Sequence, residues 1–173
     1  PIYGHFILRR QKPLQPGFYY FLLPGQGNFS ILIDQDQQMT LRANRADIPG
    51  TMQVKGSLNT ELLYRNFKFQ SAQEPELNQL SQTLKNAQPN SPEFQKAKAR
   101  QTQLVEERKA HLDEIYKTHP DAFFTKFKIA GQNPDWPEFR KPNGDLDTLQ
   151  NLLYYREHFW DGVDFTDNRM LNT

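Results

Sequence analysis

A chain of 173 residues with 13 Phe and 7 Tyr is long enough for one domain or two small ones, and its aromatics supply core material that disordered chains lack. Its 21 basic and 20 acidic residues leave a net charge of +1, so no overall field draws it to nucleic acid or anionic lipid. It holds no cysteine, which excludes disulfides, thiolate zinc, iron–sulfur clusters and cysteine nucleophiles within these residues.

The first third reads as β. Residues 3–9 form a short apolar stretch of strand type, and a loop around Pro13, Pro16 and Gly17 follows. Residues 18–23 are an aromatic run closed by Pro24-Gly25-Gln26-Gly27. Residues 28–34 place Phe29, Ile31 and Ile33 on one face, so the two runs predict a hairpin. Met39 and Leu41 begin another alternating stretch, and Pro49-Gly50 breaks the chain before Met52 and Val54. Four or five short strands with regular turn signals predict an antiparallel sheet or half-sandwich.

The period changes at Gly56-Ser57. Leu58, Leu62, Leu63 and Phe67 recur at helical spacing, Pro75 predicts an interruption, and Leu77, Leu80 and Leu84 resume the pattern. Gln88-Pro89-Asn90 separates this stretch from a long helix begun by Ser91-Pro92-Glu93 and ending near Thr118. The two form an antiparallel hairpin with narrow apolar stripes, the second interrupted by Gln101 and Arg108. A short helix over 122–130 closes at Gly131, and a loop over 133–144 leads to a last helix capped by Asp145 or Asp147. That helix carries Leu149, Leu152, Leu153, Tyr155, Phe159 and Trp160 and reads as amphipathic, with Trp160 as a buried anchor. The expected fold class is therefore α+β: an antiparallel β domain over residues 1–56, incomplete at its N-terminus, and a helical domain over 57–173. No stretch of ~18 apolar residues is present to span a membrane. The chain opens at Pro1 without a signal-type segment, and the expectation is that any targeting segment has been removed.

Chemistry-bearing patterns are few. His5, His111, His119 and His158 form no His-x-x-x-His or His-Glu-x-x-His pair. Asp161, Asp164 and Asp167 stand three apart, a candidate for Ca²⁺, yet Gly162 directly follows the first Asp and no Glu closes the loop as an EF-hand requires. Carboxylates that end and cap helices explain the same loop. Gly25-Gln26-Gly27 leads from strand to strand, so it reads as a hairpin turn and not as a phosphate cradle. Asn28-Phe29-Ser30 fits the glycosylation sequon, and no Gly-x-Ser-x-Gly nucleophile elbow occurs. The aromatics read mainly as core, with Trp136, in a loop, the exception that could meet a ligand. Trp136, Asp161, Asp164 and Asp167 are thus the binding candidates, with no catalytic, cofactor or metal residue assigned.

Several blocks together carry a resemblance. "PLQPGFYYFLLP", "NFSILIDQDQ", the Val54–Leu62 segment "VKGSLNTEL", "THPDAF" and the stretch from Leu149 to Leu171, "LQNLLYYREHFWDGVDFTDNRML", resemble the accessory region ahead of the thioredoxin-like domain in Bacteroidetes-type cell-envelope proteins. The resemblance implies an exported, periplasmic or envelope-associated protein whose partner is a C-terminal thioredoxin-like domain of the same polypeptide. These residues contain no Cys-x-x-Cys, so no catalytic role carries over, and the accessory domains have no assigned chemistry. The expectation is a non-catalytic interaction module without cofactor, nucleic-acid partner or membrane span. The alternatives are a glycan- or peptide-binding module using aromatics, and a hydrolase with a carboxylate pair that the sequence does not reveal.

Overall fold

The computed structural model describes residues 4–25, 27–134 and 137–173. Within them the chain is α+β: β1 (Gly17–Leu23), β2 (Gly27–Ile33), β3 (Thr40–Arg42), the single turn α1 (Ile48–Thr51), β4 (Gln53–Lys55), α2 (Leu58–Asn86), α3 (Pro92–Thr118), α4 (Phe123–Ala130), α5 (Thr148–His158) and a 3₁₀ turn, Asn168–Asn172. The strands divide into two antiparallel pairs, β1 with β2 and β3 with β4. The β1–β2 register sets Phe18 opposite Leu32 and Phe21 opposite Phe29, whose rings stack at 4.8 Å. Residues 4–9 lie outside any strand, although their apolar run predicted one; Tyr3, which opens that run, and Gln26, in the hairpin turn, lie outside the described residues. A strand is made by its partner, and residues 4–9 have no partner strand among the described residues.

Ser57 begins the helix on which the fold is assembled. Its hydroxyl accepts the Thr60 amide at 3.3 Å, the ordinary N-cap bond. Gly56 just before it has φ of +85°, and a Cβ there would stand 2.4 Å from the Gln38 carbonyl oxygen. Only glycine joins β4 to α2 in this way.

The first two turns of α2 then do what a neighbouring strand would do for β2. The Thr60 hydroxyl accepts the Leu32 amide at 3.2 Å and donates to the Leu32 carbonyl at 2.9 Å. One turn on, the Tyr64 hydroxyl donates to the Ser30 carbonyl at 2.9 Å. Burial pushes the Tyr64 phenol up to about 12, against the smaller opposing effect of that bond. Asn59 reaches two ways: its amide nitrogen donates to Asp34 at 3.2 Å and its oxygen accepts the Phe124 amide at 3.0 Å. Helix α4, whose own N-cap Ala122 has no capping side chain, is therefore capped by a residue 65 positions earlier. Around this polar hub closes the apolar cluster of Leu32, Leu62, Ile115, Phe123 and Phe124.

Beyond the core, α2 and α3 run on as an antiparallel arm, turned at Asn90 with φ of 66°. Helix α2 has 29 residues and is about 43 Å long. It passes unbroken through Pro75, where the sequence predicts an interruption. The seam to α3 holds both sides of the proline. Arg100 forks onto Glu76 at 2.7 and 2.9 Å and reaches Glu107 at 2.9 Å, while Arg108 bonds Gln73 at 2.8 Å and the Gln70 carbonyl at 3.3 Å. The polar residue that narrows the apolar stripe, Arg108, is thus a cross-helix fastener. Nearer the core, His111 lies flat on Phe69, with centroids 4.0 Å apart, and its Nε2 is buried without a partner.

Two outcomes follow from this geometry. Thr60→Val keeps the shape of the side chain but strands the Leu32 amide and carbonyl, and should cost about 1–3 kcal/mol in urea unfolding. Burial, with Arg65 adding to it and Glu114 opposing, holds the His111 imidazole below its usual 6.5. Its contribution is complete above that value and is lost as pH falls through the lowered one. Melting between pH 7 and pH 5 should therefore fall more steeply for the native chain than for His111→Phe.

Candidate interaction surface

Helix α5 is started by Asp147, whose carboxylate accepts the Gln150 amide at 3.0 Å. It is held to the preceding loop by Asn151, which donates to the Phe139 and Asp147 carbonyls at 2.9 and 2.7 Å and accepts the Phe139 amide at 3.3 Å. Asn151 is the buried residue of this helix. Leu149, Leu152 and Leu153 are all exposed, and Trp160 is 55% exposed. This inverts the expectation from the sequence. The apolar stripe exists, but the loop is pinned through a polar side chain and the leucines face outward. Trp160 is a surface residue set edge-on against Phe159 at 4.6 Å and near Phe165 at 5.5 Å, and not the core anchor that its neighbours suggested. Beside α5 lies a shallow groove of about 500 Å³, lined by Leu146, Leu152, Tyr155, Asn151, Thr148 and Glu138.

The three spaced aspartates turn to separate partners. Asp161 meets His158 Nδ1 at 2.6 Å, and the His158 ring lies tilted against Tyr154 with centroids 4.1 Å apart. Asp164 accepts the Thr166 hydroxyl and amide at 2.7 and 3.0 Å, with Lys126 at 3.8 Å. The Thr166 bonds hold its carboxyl below the usual carboxylate range. Asp167 accepts from the Arg169 guanidinium at 2.6, 2.8 and 3.0 Å and caps the 3₁₀ turn. No group of three His, Asp or Glu side chains poised to hold a metal ion is present among the described residues. Trp136, the fourth binding candidate, lies outside the described residues.

Arg169 is the residue that sequence reasoning missed. Besides Asp167 it reaches Asp34 at 2.9 Å, 135 positions away, and the Asp121 carbonyl at 3.3 Å. Its guanidinium ties the C-terminal turn to the end of β2 and to the start of α4. The side chains of Asp34 and Asp167 are only 12% and 10% exposed, so both carboxylates depend on it. Arg-Met inside an acidic loop was the available signal, but nothing local names the distant partner.

The Arg169 bonds hold the Asp167 carboxyl below its usual 3.8. Its contribution is therefore present above about pH 4 and lost as pH falls through the lowered value. Arg169→Met should cost about 1.5–3 kcal/mol at pH 7, the range for charged hydrogen bonds. The gap to the native chain in urea unfolding should narrow as pH falls through the lowered Asp167 value.

Comparison of the chain with protein-family models, with curated proteins and with solved structures gives no significant match.

Proposed function

We propose that this chain is a non-catalytic accessory module of an exported thioredoxin-like envelope protein, and that it engages the redox domain of that polypeptide through α5 and the loop after it. The observation that carries this reading is the outward face of α5. Leu149, Leu152 and Leu153, with Trp160 and Phe165 beyond the helix, leave a run of apolar side chains in solvent. Apolar side chains held outward on one helix face, as Leu149, Leu152 and Leu153 are, mark a site of association. Polar groups follow directly, because Asp161 and Asp164, in the loop that carries Phe165, keep 68% and 40% of their side chains exposed. A mixed apolar and polar contact of modest size suits two domains of one polypeptide. The choice of a thioredoxin-like domain as occupant, and the periplasmic or envelope location, rest on the resemblance of the sequence blocks.

A second reading, a glycan- or peptide-binding module, is favoured by Trp160 standing exposed beside Phe165, since rings offer large contact area at low entropy cost.

The test has two parts. The coding sequence after Thr173 should contain a thioredoxin-like domain with Cys-x-x-Cys. In a Trp136→Phe background, adding that domain should shift Trp160 fluorescence to the blue. Leu152→Asp with Leu153→Asp should weaken the interaction about tenfold or more. An unchanged Trp160 signal on adding the domain would overturn the proposal. A response to oligosaccharides or apolar peptides in its place would establish the second reading.

A further inference from the structure

The backbone groups of Leu32 that turn toward Thr60 fix the hydrogen-bond phase of the whole β1–β2 hairpin. In an antiparallel pair, opposed residues alternate between exchanging both bonds and exchanging none. Leu32 spends its amide and carbonyl on α2, so the Phe18–Leu32 pair is of the second kind. By the same alternation so are Tyr20–Ser30 and Leu22–Asn28, which agrees with the Ser30 carbonyl turning to Tyr64. The amides and carbonyls of Phe18, Tyr20 and Leu22 therefore point away from β2. At the base, the 3₁₀ turn lies against β1, with Met170 and Phe18 both packed on the core. Farther along, Tyr20 and Leu22 are 64% and 78% exposed.

Edges of this kind are ordinarily protected by charge, proline, a bulge or a covering element. Strand β1, Gly-Phe-Tyr-Tyr-Phe-Leu-Leu, has neither charge nor proline, and β2 has none either. We propose that β1 is a self-association edge and that its occupant is β1 of a second copy, paired antiparallel about a two-fold axis at Phe21. In that register Tyr20 of each copy lies opposite Leu22 of the other. The two pairs exchange four backbone hydrogen bonds, using the outward groups of the exposed residues Tyr20 and Leu22. Phe21 meets its own symmetry mate as a close, non-bonded pair on the other face, extending the Phe21–Phe29 stack into a row of four rings. An uncharged strand meets itself without like-charge repulsion, and the donor and acceptor pattern of Tyr20 and Leu22 is complementary to itself under the two-fold. The contact is short, which places the dimer among weak, concentration-dependent associations. This inference is independent of what α5 binds.

Sedimentation equilibrium of the native chain up to about 1 mM should show a monomer–dimer equilibrium. Leu22→Lys and Tyr20→Glu, each at an exposed position and each tested alone, should weaken it about tenfold or more. Mixing the two variants should restore association, because the lysine introduced in one copy then faces the glutamate introduced in the other. In hydrogen exchange on the native chain, the Tyr20 and Leu22 amides should slow as concentration rises, while those of Tyr19 and Phe21 are protected throughout. A chain that stays monomeric over the whole range would overturn the proposal, as would a dimer unmoved by both substitutions. Variants that associate no better mixed than alone would overturn the register.

Discussion

The outer edge of β2 has no strand to pair with among the described residues, and the fold depends on how a helix meets that need. Backbone amides and carbonyls withdrawn from water must be bonded or cost about 1–3 kcal/mol each. Here side chains from the first two turns of α2 supply the bonds: Thr60 to both groups of Leu32 and Tyr64 to Ser30. A two-stranded ribbon is marginal by itself. Tied in this way, it can bury Leu32 against Leu62, Ile115, Phe123 and Phe124. The same turn of α2 places Asn59, which caps α4 and bonds Asp34, and Asp34 in turn receives Arg169 from the C-terminal turn. One polar face of one helix thus links the hairpin, α4 and the chain's last residues.

Away from that hub the balance of forces differs. The α2–α3 arm buries Ala97 and Leu104 and otherwise is fastened by guanidinium and carboxamide groups, chiefly Arg100 and Arg108. Partly exposed ion pairs of this sort contribute modestly to stability. Their directional bonds fix how the helices register, and that explains how a proline is carried mid-helix. At α5 the relation of side chain to solvent is reversed, with an asparagine buried and leucines exposed. Apolar surface is held outward on a helix that is firmly capped and pinned, and the proposed role rests on that surface.

What was legible in the sequence is what local chemistry decides. Ser91-Pro92 starts α3, Asp147, one of the two aspartates open as its cap, starts α5, and Asn90 turns the hairpin, because caps and turns are satisfied within a few residues. The α+β class followed from the change of period at Gly56-Ser57. The rest depends on partners distant in the chain. Residues 4–9 have strand composition but no partner strand among the described residues, and Pro75 is spanned by a seam that no local window contains. Periodicity at Leu149, Leu152 and Leu153 shows that an apolar face exists without showing what covers it. The aspartate spacing at 161, 164 and 167 could not reveal that each carboxylate already had a partner, least of all an arginine bonded in turn to Asp34.

The central claim is that the first two turns of α2 act as the missing partner of β2 and as the cap of α4. Native-state hydrogen exchange at the Leu32 and Phe124 amides tests it most directly, because both amides are bonded to α2 side chains. If the clamp is integral to the fold, both should open only with global unfolding, at the free energy of the slowest core amides of α2 and α3. Exchange of either amide as rapid as that of the exposed β3 residues would show that the clamp opens by itself and would contradict the account.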